Sequence, residues 1–244
     1  MPQTIDGVVP DGAYITGHDP YKDDTNRGAS LGAIYVIKTA AYFDKIGHDE
    51  IVATYIGRPY LGRDIVNENL LKLSLFYGNA KIYFENSVGN VKDYFERTKH
   101  LHLLARKPHT LFTKKGNYET SPLLEYGYPM SNEKIKYEAL QYLRTWLLEV
   151  RESSDNRVIR NLDRIVDKAL LQELLTFSME GNFDRIMALC GAIIGLNEVG
   201  NVKKNELISS STRNNFMDVD LDKFITNNRY IFRNETFSET KISL

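Results

Sequence analysis

The stretch Ala13-Tyr14-Ile15-Thr16-Gly17-His18-Asp19-Pro20 sets the expectations for the rest of the chain. Its first residues are typical of a buried β-strand, and the strand ends on Asp19 because the proline that follows cannot continue it. Burying an unpaired carboxylate is costly, so proteins accept one at the end of a core strand mainly where a metal ion or a reaction requires the charge. Asp19 is therefore the first candidate for a functional site.

The composition is that of an ordinary globular protein. The chain has 244 residues, a formal net charge of −1, 42% hydrophobic and 26% charged residues, so no global positive field indicates nucleic acid or an anionic membrane. Its single cysteine, Cys190, cannot form an intramolecular disulfide. No apolar run reaches the roughly 18 residues of a membrane span, and the N-terminus lacks a secretory pattern. We therefore expect a soluble intracellular protein without a membrane partner.

The pattern on either side of this stretch predicts a mixed α/β domain. The predicted strands are 13–19, 31–38, 50–57, 80–85 and 101–105, and the predicted helices are 62–77, 91–97, 131–150, 167–178 and 183–196. Three strands in succession predict an antiparallel meander. Because a helix precedes the fourth strand, we expect that strand beside the first and parallel to it.

Three further segments complete the predicted organisation. Residues 106–131 are expected to form a long, partly basic loop, and 152–156 a polar link between helices. Beyond Gly200 the composition shifts to Asn, Ser and Lys with scattered aromatic residues. We therefore expect a domain at 1–200 and a polar C-terminal extension at 201–244.

Asp19 has two candidate partners elsewhere in the chain. Parallel alignment of the first and fourth strands would put Asp19 and Glu85 at the same sheet edge, where open α/β sheets bind ligands. Asp184 is expected in the first turn of a late helix, behind the N-cap candidate Asn182. The helix face that carries Asp184 has small residues, which permit a close approach to the sheet: Ala188, Gly191 and Gly195.

Three converging carboxylates indicate a metal site. They would repel one another strongly unless cations lay between them, and oxygen ligands suit hard ions such as Mg²⁺ or Mn²⁺. Two such ions about 3.5–4 Å apart can activate water and stabilise the leaving oxygen in phosphodiester hydrolysis. Each acid alone has an ordinary explanation, as a turn former or as a partner of the helix dipole. Together, Asp19, Glu85 and Asp184 favour a two-metal site.

These residues resemble those of a known superfamily, the ribonuclease H-like nucleases, in which a strand ending in Asp, a meander, a strand ending in Glu and a late helix opening on Asp follow one another. Three segments look, more narrowly, like the nuclease domain of tailed-phage terminase large subunits: Gly17-His18-Asp19-Pro20, Tyr83-Phe84-Glu85-Asn86 and Gly181-Asn182-Phe183-Asp184-Arg185-Ile186-Met187-Ala188-Leu189. The resemblance spans about residues 13–198. It implies a ribonuclease H-like mixed sheet with flanking helices.

The resemblance also implies a function. It suggests a metal-dependent endonuclease that cleaves double-stranded DNA concatemers during viral genome packaging in the host-cell cytoplasm, with Asp19 bridging two ions and Glu85 and Asp184 completing their shells. Implied partners are DNA, the portal protein, the small terminase subunit and a packaging ATPase. No G-x-x-x-x-G-K-[ST] phosphate loop occurs in this sequence, so we expect the ATPase domain to lie outside it.

Two other functions stay open at this stage. The first is another ribonuclease H-like nuclease, such as a junction resolvase or an RNA·DNA hybrid nuclease, which would share the three acids. The second is a non-catalytic module that docks on DNA or on the portal, with the tail after residue 200 as its contact segment.

Several other polar residues have weaker signals. His18 is expected to point to the sheet face opposite Asp19, because side chains alternate along a strand. Asp23 or Asp24 is an open candidate for an additional outer ligand. The densest basic stretch follows Glu85 and is a candidate for phosphate contacts: Lys92, Arg97, Lys99, Arg106, Lys107, Lys114 and Lys115.

Overall fold

The computed structural model describes residues 1–21, 30–40, 48–60, 62–88, 90–108, 111, 125–154 and 157–213, with side chains as far as residue 200. Four residues with predicted roles lie outside these ranges: Asp23, Asp24, Lys114 and Lys115. Most of the predicted basic loop lies outside them as well.

The main sheet has the predicted topology. Within the described residues it contains four strands in the order β3-β2-β1-β4: β1 Tyr14–Asp19, β2 Gly32–Lys38, β3 Ile51–Gly57 and β4 Lys81–Phe84. The first three pair antiparallel as a meander, and β4 pairs parallel with β1. A parallel neighbour requires a crossover, which a helix supplies here between β3 and β4.

Helices cover both faces of this sheet. They are α1 Arg63–Phe76, α2 Val91–Arg97, α3 Glu133–Leu148, α4 Lys168–Thr176 and α5 Asp184–Arg213. One apolar core lies between the sheet and α1 with α2, and a second lies between the sheet and α3, α4 and α5. The predicted architecture, an antiparallel meander plus a parallel strand with flanking helices, is confirmed.

Alternation along β1 divides its side chains between the two cores. Ile15 packs in the core under α3, α4 and α5, whereas His18 lies against α1 residues on the other face. Gly17 contacts α5, so the odd-numbered positions of β1 face that helix. Asp19 therefore belongs to the face that α5 covers.

Most helix ends follow their local signals. Helix α1 stops where Gly78 and Asn79 adopt positive φ angles of 70° and 59°, as this Gly-Asn pair predicts. The side chain of Asp167 caps α4 by accepting hydrogen bonds from the next helical amides. Helix α3 is capped by Asn132, so it begins two residues later than predicted.

The prediction of a fifth strand at 101–105 is wrong. Leu101–Leu103 is a 3-10 helix, and Leu104 then makes an isolated parallel bridge with Ile82. A short apolar run has no period long enough to distinguish a strand from a helical turn, which explains the error. Beyond it, Tyr128 bridges Glu85 and extends the edge of the sheet beside β4.

The polar link predicted at 152–156 is also corrected. Residues 152–154 belong to β5 Val150–Ser154, which pairs antiparallel with β6 Arg157–Arg160. The hairpin is anchored by Arg151, which donates hydrogen bonds to Asn161, Asp49 and Glu149. Exposed polar strands carry no hydrophobic alternation, so the sequence pattern did not reveal them.

The last helix is longer than predicted, since α5 continues to Arg213 instead of ending at 196. Gly200 lies within it, and a helix tolerates an interior glycine at a cost of about 1 kcal/mol. Backbone contacts divide the chain between Val202 and Lys203. The extension expected at 201–244 stays a prediction.

Among the described residues, no helix is long and apolar enough to cross a membrane.

Candidate active site

Asp19 and Glu85 lie side by side at one edge of the sheet. Asp19 is the last residue of β1, and Glu85 directly follows β4. The parallel register pairs His18 with Phe84, and the amide of Glu85 donates to the carbonyl of His18 at 3.3 Å. This register brings the two carboxyl groups to the same strand ends, as expected for adjacent parallel strands.

The two carboxyl groups are hydrogen-bonded to each other. Burial raises the pKa of Asp19 well above its usual range, and the negative charges of Glu85 and Asp184 raise that pKa further. Burial also raises the pKa of Glu85, against the opposing effects of hydrogen bonds with Ser87 and Asp19 and of the positive charge on Lys136. The buried surroundings of the site therefore solvate the ionised form of these acids poorly.

Helix α5 approaches the sheet as its small residues predict. A β-carbon built on Gly17 would lie 2.1 Å from the carbonyl oxygen of Ala188 and 2.2 Å from the amide nitrogen of Ala192. One built on Gly191 would lie 3.0 Å from the carbonyl oxygen of Tyr83. The backbones of β1 and α5 are therefore in direct contact, and the prediction of a close approach is confirmed.

This contact carries Asp184, the first residue of α5, to the start of β2. Its Oδ1 accepts a hydrogen bond from the hydroxyl of Ser30 at 3.0 Å, and its Oδ2 accepts from the amide of Leu31 at 2.8 Å and from Asn182 at 3.2 Å. Burial raises the pKa of Asp184, and these three bonds oppose the rise. Among the described residues these bonds occupy three of the four lone-pair sites, which leaves one on Oδ1 for a ligand.

The prediction of Asn182 as the N-cap of α5 is wrong. Phe183 occupies that position, and its carbonyl accepts the hydrogen bond from the amide of Met187 at 3.0 Å. The cap is supplied by Glu173 of α4, whose Oε2 accepts from the amides of Arg185 and Ile186. Sequence reasoning missed Glu173, because nothing near it in the chain distinguishes it from the other polar residues of an amphipathic helix.

Two more residues near the acids were not predicted from the sequence. Tyr128 is fully buried. Its burial raises its pKa, and electrostatic interactions with Cys190, Asp19 and Glu85 raise it further. Lys136 of α3 donates from Nζ to the carbonyl of Met179 at 2.9 Å, and its charge acts on Glu85. Only its place in the fold, and no sequence motif, associates either residue with the site.

His18 takes no part in this cluster. Its Nδ1 lies 2.9 Å from the carbonyl oxygen of Ala33, and burial lowers the pKa of His18 to about 4. The ring lines a small cavity with α1 residues such as Val66 and Asn67. The prediction that it points away from Asp19 is confirmed.

The basic stretch after Glu85 is divided by the fold. Arg97 pairs with Asp64 at 2.7 Å, and Lys107 pairs with Glu125 at 3.3 Å, so these side chains have structural partners. The guanidinium of Arg106 lies 4.2 Å from the centre of the Tyr126 ring. Two lysines of the set are exposed on and just after α2: Lys92 and Lys99.

The donor set fits a hard divalent cation, since Asp19, Glu85 and Asp184 offer oxygen atoms alone. In the described part of the chain, however, no three Asp, Glu, His or Cys side chains are gathered as a complete set of metal ligands. The structure brings Asp19 and Glu85 into contact and puts Asp184 within electrostatic reach of Asp19. The three acids as a shared metal site stay a prediction.

The class that this architecture defines is a mixed α/β domain with acids at one sheet edge. No family model matches the sequence, and no curated protein matches it. Among solved structures, the chain is similar to the large terminase nuclease from thermophilic phage G20c, crystallised with bound zinc. The TM-score is 0.48 at 15% identity, and the match covers 76% of this chain and 82% of that one.

Proposed function

We propose that this chain is a divalent-metal-dependent nuclease that hydrolyses double-stranded DNA. The observation that carries the proposal is the contact between the carboxyl groups of Asp19 and Glu85 at the common end of two parallel strands, with Asp184 close enough to raise the pKa of Asp19. Asp19 and Asp184 expose only 7% and 6% of their surface. Burial of several carboxyl groups in one place destabilises a protein unless their charge is compensated, and it is typical of a site that binds cations.

Asp19, Glu85 and Asp184 are the residues that would hold Mg²⁺ or Mn²⁺. What such ions supply when bound is acidification of water and neutralisation of the charge that develops on the phosphate during hydrolysis. Asp19 would lose its proton when a cation binds, because a cation favours the ionised carboxylate. Leu31 and Ser30 orient the carboxylate of Asp184 from the start of β2.

Two cationic side chains, those of Lys136 and Arg106, favour DNA as the substrate. Lys136 carries its charge close to Glu85, where it would attract a phosphate. Arg106 stacks on Tyr126, whose carbonyl accepts a hydrogen bond from Asn86, the residue after Glu85. These contacts read no base sequence, so we expect cleavage without strong base preference.

The three motifs that resemble terminase nucleases suggest the biological setting. We propose that the chain cuts DNA concatemers during viral genome packaging in the host-cell cytoplasm. Its partners would be the portal protein, the small terminase subunit and a packaging ATPase domain.

Cleavage of supercoiled plasmid tests the activity. We expect nicked and linear DNA in the presence of Mn²⁺ or Mg²⁺, no cleavage with EDTA, and loss of at least about a thousandfold in rate for Asp19→Asn, because the metal ligands act as a unit. Glu133→Gln, an exposed acid on α3, serves as the matched control. Intact plasmid with wild-type protein, or full activity in Asp19→Asn, would refute the proposal.

The choice of substrate separates this function from the related nucleases. The same protein is incubated with a linear DNA duplex, with a four-way junction and with an RNA·DNA hybrid of equal length. We expect linear duplex DNA to be cut at least as fast as the other two. Strong preference for the junction would instead indicate a resolvase, and strong preference for the hybrid would indicate a hybrid-specific ribonuclease.

A further inference from the structure

The N-terminus of α5 is capped by a carboxylate from a different helix. Oε2 of Glu173 accepts hydrogen bonds from the amide of Arg185 at 3.1 Å and from the amide of Ile186 at 3.3 Å. These are the second and third helical residues, whose amides have no partner inside the helix. An N-cap side chain normally satisfies such amides, but the residue at that position is Phe183.

A chain of ion pairs and hydrogen bonds holds Glu173 in this place. Its Oε1 accepts from the guanidinium of Arg185 at 2.8 Å, and Nε of Arg185 lies 4.0 Å from Asp167. Asp167 caps α4 and also accepts a hydrogen bond from the hydroxyl of Tyr35 on β2 at 2.7 Å. The side chains of Glu173 and Arg185 are only 18% and 20% exposed, so little water competes for these bonds.

The cap lies next to Asp184, the first residue of α5. Asp184 is held on its other side by Ser30 and by the amide of Leu31. The position of its carboxylate therefore depends on two attachments. One is its own hydrogen bonds to Ser30 and Leu31, and the other is the hydrogen bonds of the next two amides to Glu173 of α4. Groups that orient metal ligands in this indirect way are typically worth about 10–100-fold in metal affinity.

We propose that Glu173 is a positioning residue for the metal site, which acts by capping α5 and thereby fixing Asp184. The inference rests on the proposed function, since it concerns how Asp184 is held for a divalent cation. Glu173 acts through its hydrogen bonds to the helix amides, and its negative charge is not the property that matters.

Two substitutions separate the hydrogen bonds from the charge. Glu173→Gln keeps a carbonyl oxygen that can accept from the amides of Arg185 and Ile186 but removes the charge, whereas Glu173→Ala removes both. Glu180→Ala, an exposed acid four residues before Asp184, is the matched control for net charge. Each full-length protein is titrated with Mn²⁺ by calorimetry, and amide hydrogen exchange is measured at Arg185 and Ile186 in the metal-free state.

We expect Glu173→Ala to bind Mn²⁺ about tenfold more weakly than wild type. We also expect it to exchange the amides of Arg185 and Ile186 about fivefold faster, as for loss of a helix cap. Glu173→Gln should stay within about threefold of wild type in both measurements, because it retains the cap acceptor. The control should match wild type.

Each result that departs from these expectations leads to a different conclusion. If Glu173→Gln loses as much Mn²⁺ affinity as Glu173→Ala, the residue acts through its charge and the positioning role is refuted. It is equally refuted if amide exchange in Glu173→Ala equals that of wild type. If wild-type protein binds no Mn²⁺, the proposed nuclease function fails, and the amide exchange still decides whether Glu173 caps the helix.

Discussion

Gly17 of β1 and Ala188 of α5 are in backbone contact, such that a β-carbon at position 17 would stand 2.1 Å from the carbonyl oxygen of Ala188. This contact is the reason that the N-terminus of α5 reaches the edge where β1 and β4 end. A sheet and a helix separated by ordinary side chains lie farther apart, and Asp184 would then remain distant from Asp19. The stability of the fold and the geometry of the site therefore depend on the same position.

Replacement of Gly17 by alanine tests this dependence. Neither backbone can yield to the new methyl group without moving α5, so we expect Gly17→Ala to lower the free energy of unfolding by about 3 kcal/mol or more. Gly200→Ala is the matched control in α5, because none of the described heavy atoms lies within 4 Å of a β-carbon there. It should be neutral or stabilising by up to about 1 kcal/mol. Urea denaturation measures both, and equal stability of the two variants would contradict the contact.

Replacement of Asp19 by asparagine is expected to stabilise the metal-free protein at high pH. The pKa of Asp19 is raised in the folded state, so the folded state binds its proton more tightly than the unfolded chain does. The stability that this proton contributes is complete below the unfolded pKa of about 4 and is lost as the pH rises through the folded pKa. Asparagine can donate a similar hydrogen bond to Glu85 without titrating.

The measurement compares unfolding of wild type and Asp19→Asn in EDTA at two pH values. We expect the variant to be more stable by about 1 kcal/mol or more at pH 8, in the range that replacement of strained functional residues commonly yields. The two proteins should be equal at pH 4, which is the internal control. A variant that is less stable than wild type at pH 8 would show that Asp19 has a purely structural role.

Lys136 is expected to contribute to DNA binding. Its charge lies close to Glu85, so Lys136→Gln should weaken binding to duplex DNA several-fold for all sequences alike. The slope of log affinity against log salt concentration should fall by about 1, as for loss of one phosphate contact. Lys134→Gln, an exposed lysine on the same helix, is the control. The assay is fluorescence anisotropy in Ca²⁺ or EDTA, and an unchanged salt slope would exclude the contact.

Arg151 is expected to hold the β5–β6 hairpin to the rest of the domain. Its side chain is 9% exposed and donates to Asp49 and Asn161, so Arg151→Met should lower the free energy of unfolding by about 2 kcal/mol. Arg160→Met, on the exposed partner strand, should change that free energy by less than about 0.5 kcal/mol. Thermal denaturation checks the pair. Equal effects of the two substitutions would mean that Arg151 anchors nothing.

Sequence reasoning succeeded where the signal was local and repeated. The period of two in β1 predicted that His18 and Asp19 face opposite sides, and the small residues of α5 predicted its close approach to the sheet. The crossover helix implied the parallel placement of β4, because chain direction leaves few alternatives. These features follow from residues that lie close together in the chain.

The errors concern segments whose partners lie far away in the sequence. The hairpin of β5 and β6 is polar, and its anchor on Asp49 is a contact across about a hundred residues. The residues 101–103 form a 3-10 helix because their apolar side chains fit the core in that way, which no short pattern specifies. The cap of α5 was assigned to the nearest amide side chain, whereas a distant carboxylate supplies it.

The sequence alone determined the order of the strands, the presence of the helices and the candidacy of Asp19, Glu85 and Asp184, because these depend on side-chain periodicity and on which residues end each element. Only the tertiary structure decided that Asp19 and Glu85 share a hydrogen bond, that Glu173 caps the helix of Asp184 and that the charge of Lys136 acts on Glu85. The physical reason is that hydrogen bonds and charges act over a few ångström in space, and separation along the chain does not reveal which groups will meet.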